Sequence, residues 1–237
     1  TKILSWGIEA ARAVGDRALE ASLVTDSGIP FRDQRNYEPA IERYEAGLAL
    51  ARAAGSRPVE AFALGRLADL AHLRLQWDES IRLREQACAI YQEAGDEASW
   101  AHTKTDIGHV LSDEGEYARA RPALDEGLQV AQRLGATRTI AYANLMLGKL
   151  IRRQGEPQEA LPFVLRALEM YSQVGEVGSV GGALEDLGWI EEAQGQREQA
   201  LMHWRQAAEI YDAMGISRAD YVRDNLIGKP LGQRDDL

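Results

Sequence analysis

Gly15, Gly55, Gly95, Gly135, Gly175 and Gly215 stand 40 residues apart without exception. A second ladder, Gly28, Gly108, Gly148, Gly188 and Gly228, keeps the same spacing, with Ala68 in its one gap. Gly115, Gly155 and Gly195 form a third, with Leu75 at the equivalent earlier place, and Ala40, Ala120, Ala160 and Ala200 a fourth, with Ser80 between them. No insertion or deletion interrupts any of them. A strict period of this length means that one small unit is built repeatedly and buries its apolar face against its neighbours, so the chain folds as an array.

Each period reads as two helices. In residues 176–215, Leu184, Leu187 and Ile190 recur at helical spacing in the first half, and Ala200, Trp204, Ala207 and Tyr211 mark one stripe in the second. Both halves close on glycine, which tolerates the left-handed backbone that ends a helix. Two tight turns leave about 17 residues per helix, or about 25 Å, with antiparallel neighbours. Gly108, Gly148 and Gly188 fall mid-helix, where glycine costs about 1 kcal/mol against alanine. Close approach of a second helix accounts for that cost, with Ala120, Ala160 and Ala200 expected opposite. Tyr37, Trp77 and Tyr117 open their second helices and can fill the corner. Cys88 shares a rung with Leu48, Leu128 and Leu168 and is expected in the core. Pro30 should disturb the first complete unit, because an interior proline removes a backbone hydrogen bond.

"LGWIEEAQGQREQALMHW", with Leu187, Gly188, Gly195, Ala200 and Trp204, resembles the tetratricopeptide repeat. "LGKLIRRQGEPQEALPFV" is similar to it through Leu147, Gly148, Gly155 and Ala160, with Val164 in place of the aromatic residue. The period is longer than the family's usual 34 residues. It resembles the long variety found in Pins-type adaptors, kinesin light chains, and the sensor arrays of bacterial signalling ATPases of the STAND/NB-ARC type and large transcription regulators. The "GDRALEASL" turn after Gly15 is most similar to the bacterial arrays. The resemblance implies an all-α, α-α superhelix: a single tetratricopeptide solenoid domain over 1–237, with first helices lining a concave groove. Five complete pairs are expected, at about 16–54, 57–94, 97–134, 137–174 and 177–214. Residues 1–14 match a second helix without its first and 217–228 a first helix without its second, while about 229–237 read as a polar tail. The half unit at the start suggests a fragment of a longer chain. Trp6, on a rung otherwise mostly polar, suggests contact there with an upstream domain or a second copy.

Composition narrows the work such an array can do. A formal charge of −10 disfavours nucleic acid, whose affinity rests on cationic contacts to phosphate. No apolar run approaches the roughly 18 residues of a membrane span. One cysteine excludes an internal disulfide framework and fits a reducing, cytoplasmic compartment. No nucleophile elbow, phosphate loop or dinucleotide fingerprint is present, and the glycines are used by the fold ladders. The expectation is therefore a protein that is not an enzyme and holds no cofactor and no metal.

The groove lining implied by the resemblance is where function should lie. "HTKTDIGHVLSD" places His102, Asp106, His109 and Asp113 on one helical face. The corresponding residues in other units are Phe62, Arg66 and Asp69, then Tyr142, Met146, Lys149 and Arg153, then Asp186 and Trp189. This stripe differs in every unit while the packing ladders hold, as a recognition surface would. Phe62, Tyr142 and Trp189 supply aromatic contact area and the charged residues supply selectivity. The partner expected is a protein or peptide segment. Two rivals remain: a small molecule in the same groove, and a metal-dependent hydrolase centred on His102, Asp106 and His109. The latter is motivated by the ligand spacing but lacks any H-E-x-x-H pattern. His72, on the preceding helix, can lean toward the same region.

Overall fold

A computed structural model describes residues 2–228, so the expected tail at 229–237 lies outside the described residues. Among the described residues every regular element is helical, and no helix is long and apolar enough to cross a membrane. Residue contacts divide the chain into two compact units, 1–116 and 117–237.

The first unit holds α1 (Lys2–Val14), α2 (Arg17–Asp26), α3 (Ile29–Asp33), α4 (Tyr37–Ala53), α5 (Arg57–Leu73), α6 (Trp77–Ala94) and α7 (Glu97–Glu114). Each helix packs on the one before it, except that α4 packs chiefly on α2, with the short α3 resting on α4. The break between α2 and α3 falls at Ser27 and Gly28, and Pro30 takes the first turn of α3, where its missing N–H costs nothing. The first pair is thus interrupted where expected, although Pro30 begins a short helix and is not interior to one. The second unit holds α8 (Tyr117–Leu134), α9 (Thr137–Arg153), α10 (Pro157–Val174), α11 (Val177–Ala193), α12 (Arg197–Ala213) and α13 (Arg218–Tyr221), the last running into a π-helical turn at Val222–Ile227. The pairs at 16–54, 57–94, 137–174 and 177–214 are formed as expected. The helices of the third pair, α7 and α8, belong to different units.

The turns follow the ladders. All nine glycines of the first and third ladders have positive φ, between 65° and 90°. The two places where the sequence lacks that glycine adopt the same backbone, Arg35 at φ 58° and Leu75 at φ 59°. For a residue with a Cβ this conformation costs about 1–2 kcal/mol.

Gly148 and Gly188, mid-helix, and Gly28, in the break between α2 and α3, each face a bulky side chain of the next long helix. A Cβ on Gly188 would lie 2.4 Å from Trp204 Nε1, one on Gly148 2.5 Å from Val164 Cγ2, and one on Gly28 2.4 Å from Tyr44 Cε1. The large residue one turn beyond the alanine rung takes most of the space the glycine leaves, with the Ala160 carbonyl also 3.4 Å from the Gly148 position. Trp204 is fully buried there, and its Nε1 donates to the Glu185 carbonyl at 3.1 Å. Burial of such a side chain contributes about 1.5–3 kcal/mol, more than the helix loses by carrying glycine. Cys88 is buried, as its rung requires. At the amino end α1 buries Ala11 and leaves Trp6 exposed at 66%.

Candidate functional site

The first-helix stripe in the first unit is carried by α5 and α7, and it resolves into two clusters. In one, the Arg66 guanidinium lies 4.8 Å over the Phe62 ring, and its Nη1 is 3.6 Å from Asp69 Oδ2. Asp69 Oδ1 accepts from Arg84 Nη2 at 2.8 Å. Arg84 comes from α6, its side chain only 5% exposed. Its Nη1 donates to Ser80 Oγ at 2.7 Å, and Ser80 donates to the Ala68 carbonyl at 2.8 Å. Arg84 Nε also stands 3.9 Å from Asp106 Oδ2. Burial pushes the Asp69 carboxyl above its ordinary value, with Asp106 adding to the shift and Arg84 opposing it. His102, about half-exposed, reaches only to 3.9 Å from Asp106.

The second cluster lies toward the carboxyl ends of the same helices. Asp113 Oδ2 accepts from His72 Nε2 at 2.7 Å and stands 3.3 Å from His109 Nε2. The two imidazoles meet edge to face with centroids 5.1 Å apart, and Trp77 packs on His72 at 5.4 Å. The centre of the rival hydrolase reading, His102 with Asp106 and His109, is therefore not what the helices bring together. Among the described residues, the group of three whose metal-ligating atoms lie within 4.8 Å of one another is His72, His109 and Asp113.

In the second unit the stripe is carried by α9 and α11. Tyr142 and Arg153 are half-buried on α9. Met146 is only 3% exposed, which places it in the core and not on a contact surface. Lys149 Nζ lies 3.3 Å from Asp186 Oδ2. Asp186 is 5% exposed, and burial raises its carboxyl despite the opposing charges of Lys149 and Arg152. Its role is to hold Lys149, with little surface left to offer a ligand. Trp189 is partly buried: it packs edge to face on Trp204 at 5.5 Å, with the Arg152 guanidinium 5.5 Å over its own ring. Among the expected aromatic contacts, Trp189 is thus shared with the core, while Phe62 and Tyr142 lie half-buried.

Arg84 was not among the expected contact residues, whereas Asp113 was placed on the stripe without His72 as its partner. Arg84 sits on a second helix, yet its side chain reaches the first-helix carboxylates. The signal for it lay in two of the three exceptions to the ladders, Ala68 and Ser80, which fall in the same repeat and both touch this network.

Residues 97–173 and 139–213 match the family model of the tetratricopeptide repeat. A comparison with curated protein sequences gives no match. Among solved structures, BtubC from P. vanneervenii is 18% identical with a TM-score of 0.69, over 100% of this chain and 94% of that one. The Rap conjugation gene regulator of plasmid pLS20, in complex with the Phr* peptide, is 17% identical with a TM-score of 0.77, over 91% and 60%. A Rap protein complexed with Competence and Sporulation Factor is 18% identical with a TM-score of 0.72, over 83% and 54%. The chain therefore spans only between half and three fifths of the two Rap proteins' lengths. At these identities the likeness is one of fold.

Proposed function

We propose that this array of tetratricopeptide-type repeats is a binding module that takes a protein or peptide segment on the first-helix faces of its repeats. One observation carries the reading. The positions that hold the fold repeat from unit to unit, whereas the first-helix stripe presents a different chemistry each time. Phe62 with Arg66 and Tyr142 on α9 offer half-buried aromatic area, which gives large contact for few rotatable bonds. His102 and Asp106 in the first unit, and Lys149 and Arg153 in the second, add charges of both signs to the first helices, which govern specificity and association rate more than affinity. One of the similar solved structures, the Rap conjugation gene regulator of pLS20, is in complex with a peptide, in support of the same use here.

The protein acts, in this reading, as a non-catalytic sensor or scaffold array of a larger bacterial signalling ATPase or transcription regulator in the cytoplasm. The setting rests on the resemblance of the "GDRALEASL" stretch. Trp6, exposed on α1, serves as a second contact for an adjoining domain or another copy. The test is a peptide-display selection on the wild-type chain followed by titration of the recovered peptides. Phe62→Ala combined with Tyr142→Ala should weaken them at least tenfold with unchanged helicity and melting. Equal affinity for the double variant would remove these faces from the account.

A further inference from the structure

We propose that His72, His109 and Asp113 form a binding site for one divalent transition-metal ion of the zinc class. The site is independent of the peptide-binding reading and involves the first unit alone. His72 lies in the last turn of α5, and His109 and Asp113 lie four residues apart on one face of α7. Their ligand atoms, His72 Nε2, His109 Nε2 and Asp113 Oδ2, already converge, at 2.7 and 3.3 Å from the carboxylate oxygen.

A tetrahedral zinc ion with bonds of about 2.0–2.1 Å places its ligand atoms roughly 3.3 Å apart. The His109–Asp113 pair stands at that spacing. The His72–Asp113 pair is closer because a hydrogen bond joins it; on binding, the cation takes the place of the proton between them and the neutral imidazole carries its proton on Nδ1. The pair then has to open by about half an ångström, a small rotation of a side chain at a helix end. Trp77 packs on His72 and limits its ring to the neighbourhood of Asp113.

The donor set selects the ion. Two imidazole nitrogens and one carboxylate oxygen suit zinc, cobalt, nickel or ferrous iron. Calcium and magnesium require oxygen shells, and cuprous copper prefers sulfur. The side chains are 19%, 24% and 18% exposed for His72, His109 and Asp113. That is dry enough to strengthen coordination and open enough to admit the ion and leave a fourth position for water or a donor from a bound partner. A bridged site would tie α5 to α7, two first helices in adjacent pairs.

A hydrogen-bonded His–Asp pair without any metal role is the competing account, and it makes different predictions. The tag-free, metal-stripped chain is titrated with Co²⁺ as the probe. We expect one equivalent to produce a visible d–d spectrum that Zn²⁺ abolishes, and Zn²⁺ to raise the melting temperature in proportion to the logarithm of its concentration. His72→Ala and Asp113→Asn should each weaken binding at least tenfold, while His102→Ala and His203→Ala leave it unchanged. X-ray absorption on the zinc-loaded wild type, which needs no variant, should show two imidazoles in the first shell. A folded wild-type chain that gives no cobalt spectrum, binding that survives His72→Ala or Asp113→Asn, or a zinc shell of oxygen atoms alone would each overturn the site.

Discussion

Replacing Gly188 by alanine is the most incisive test of the packing scheme, because two effects of opposite sign act at one atom. In an exposed helix interior, Gly→Ala stabilises by about 1 kcal/mol. At Gly188 the added methyl would sit 2.4 Å from Trp204 Nε1, 2.7 Å from Cδ1 and 2.8 Å from Cε2. Trp204 is fully buried against Ala200, Ala207 and Tyr211 and has no room to withdraw. Forcing the indole aside is an overpacking change of about 1–3 kcal/mol. It also breaks the Nε1–H bond to the Glu185 carbonyl, worth about 0.5–1.5 kcal/mol. The net expectation is a loss of about 1–3 kcal/mol. For a chain of this size that lowers the melting midpoint by roughly 2–12 °C, read by circular dichroism. Gly65 in α5 supplies the control: a Cβ there meets nothing within 4 Å, so Gly65→Ala should raise the midpoint by roughly 2–4 °C. A Gly188→Ala variant as stable as the parent, or a Gly65→Ala variant equally destabilised, would refute the claim that the mid-helix glycines are kept for close approach.

Leu75→Gly should stabilise. Leu75 is 67% exposed at φ 59°, so it gives up little packing and relieves left-handed strain, for a net gain of about 0.5–1 kcal/mol that a urea midpoint would register. Asp186 should leave a pH signature with a definite sign. Burial raises its folded-state carboxyl above the ordinary value of 3.8, so between those two values the folded chain binds a proton that the unfolded chain releases. Its contribution to stability therefore grows as pH falls through that window and is lost as pH rises out of it. Asp186→Asn should be no less stable than the parent at neutral pH and should gain less on acidification; a variant clearly weaker at neutral pH would show that the Lys149 pair dominates instead.

The backbone was largely legible in the sequence because its signals are local and repeated. A glycine every 40 residues fixes each left-handed turn, and the register is strong enough to impose that turn on Arg35 and Leu75 as well. Pro30 announced the break between α2 and α3 for an equally local reason. The partner of the mid-helix glycines was misread by one helical turn. The alanine rung is the small residue of the second helix, but the bulky rung after it fills the gap, as Tyr44, Val164 and Trp204 show.

The site was less legible, because it depends on side-chain reach. The stripe treats each first helix as having one uniform face, yet the exposed arc is narrow enough that Met146 and Asp186 fall outside it, in the core. His72 and Asp113 are separated by 41 residues, one more than the period, so they share no rung and a comparison of equivalent positions does not pair them. The Ser80–Arg84–Asp69 network was written in the ladder exceptions Ala68 and Ser80, which gain their meaning only together.

The central claim, that partner segments lie on the first-helix faces, is tested most directly by placing a photoreactive phenylalanine analogue at one position at a time. Positions 62 and 142 report on the first helices, and positions 126 and 166, exposed on second helices, report on the opposite choice. With a display-selected peptide as the probe, cross-links should form from positions 62 and 142, be competed by unlabelled peptide, and be absent from 126 and 166. Competable cross-links from 126 or 166, with none from 62 or 142, would contradict the account.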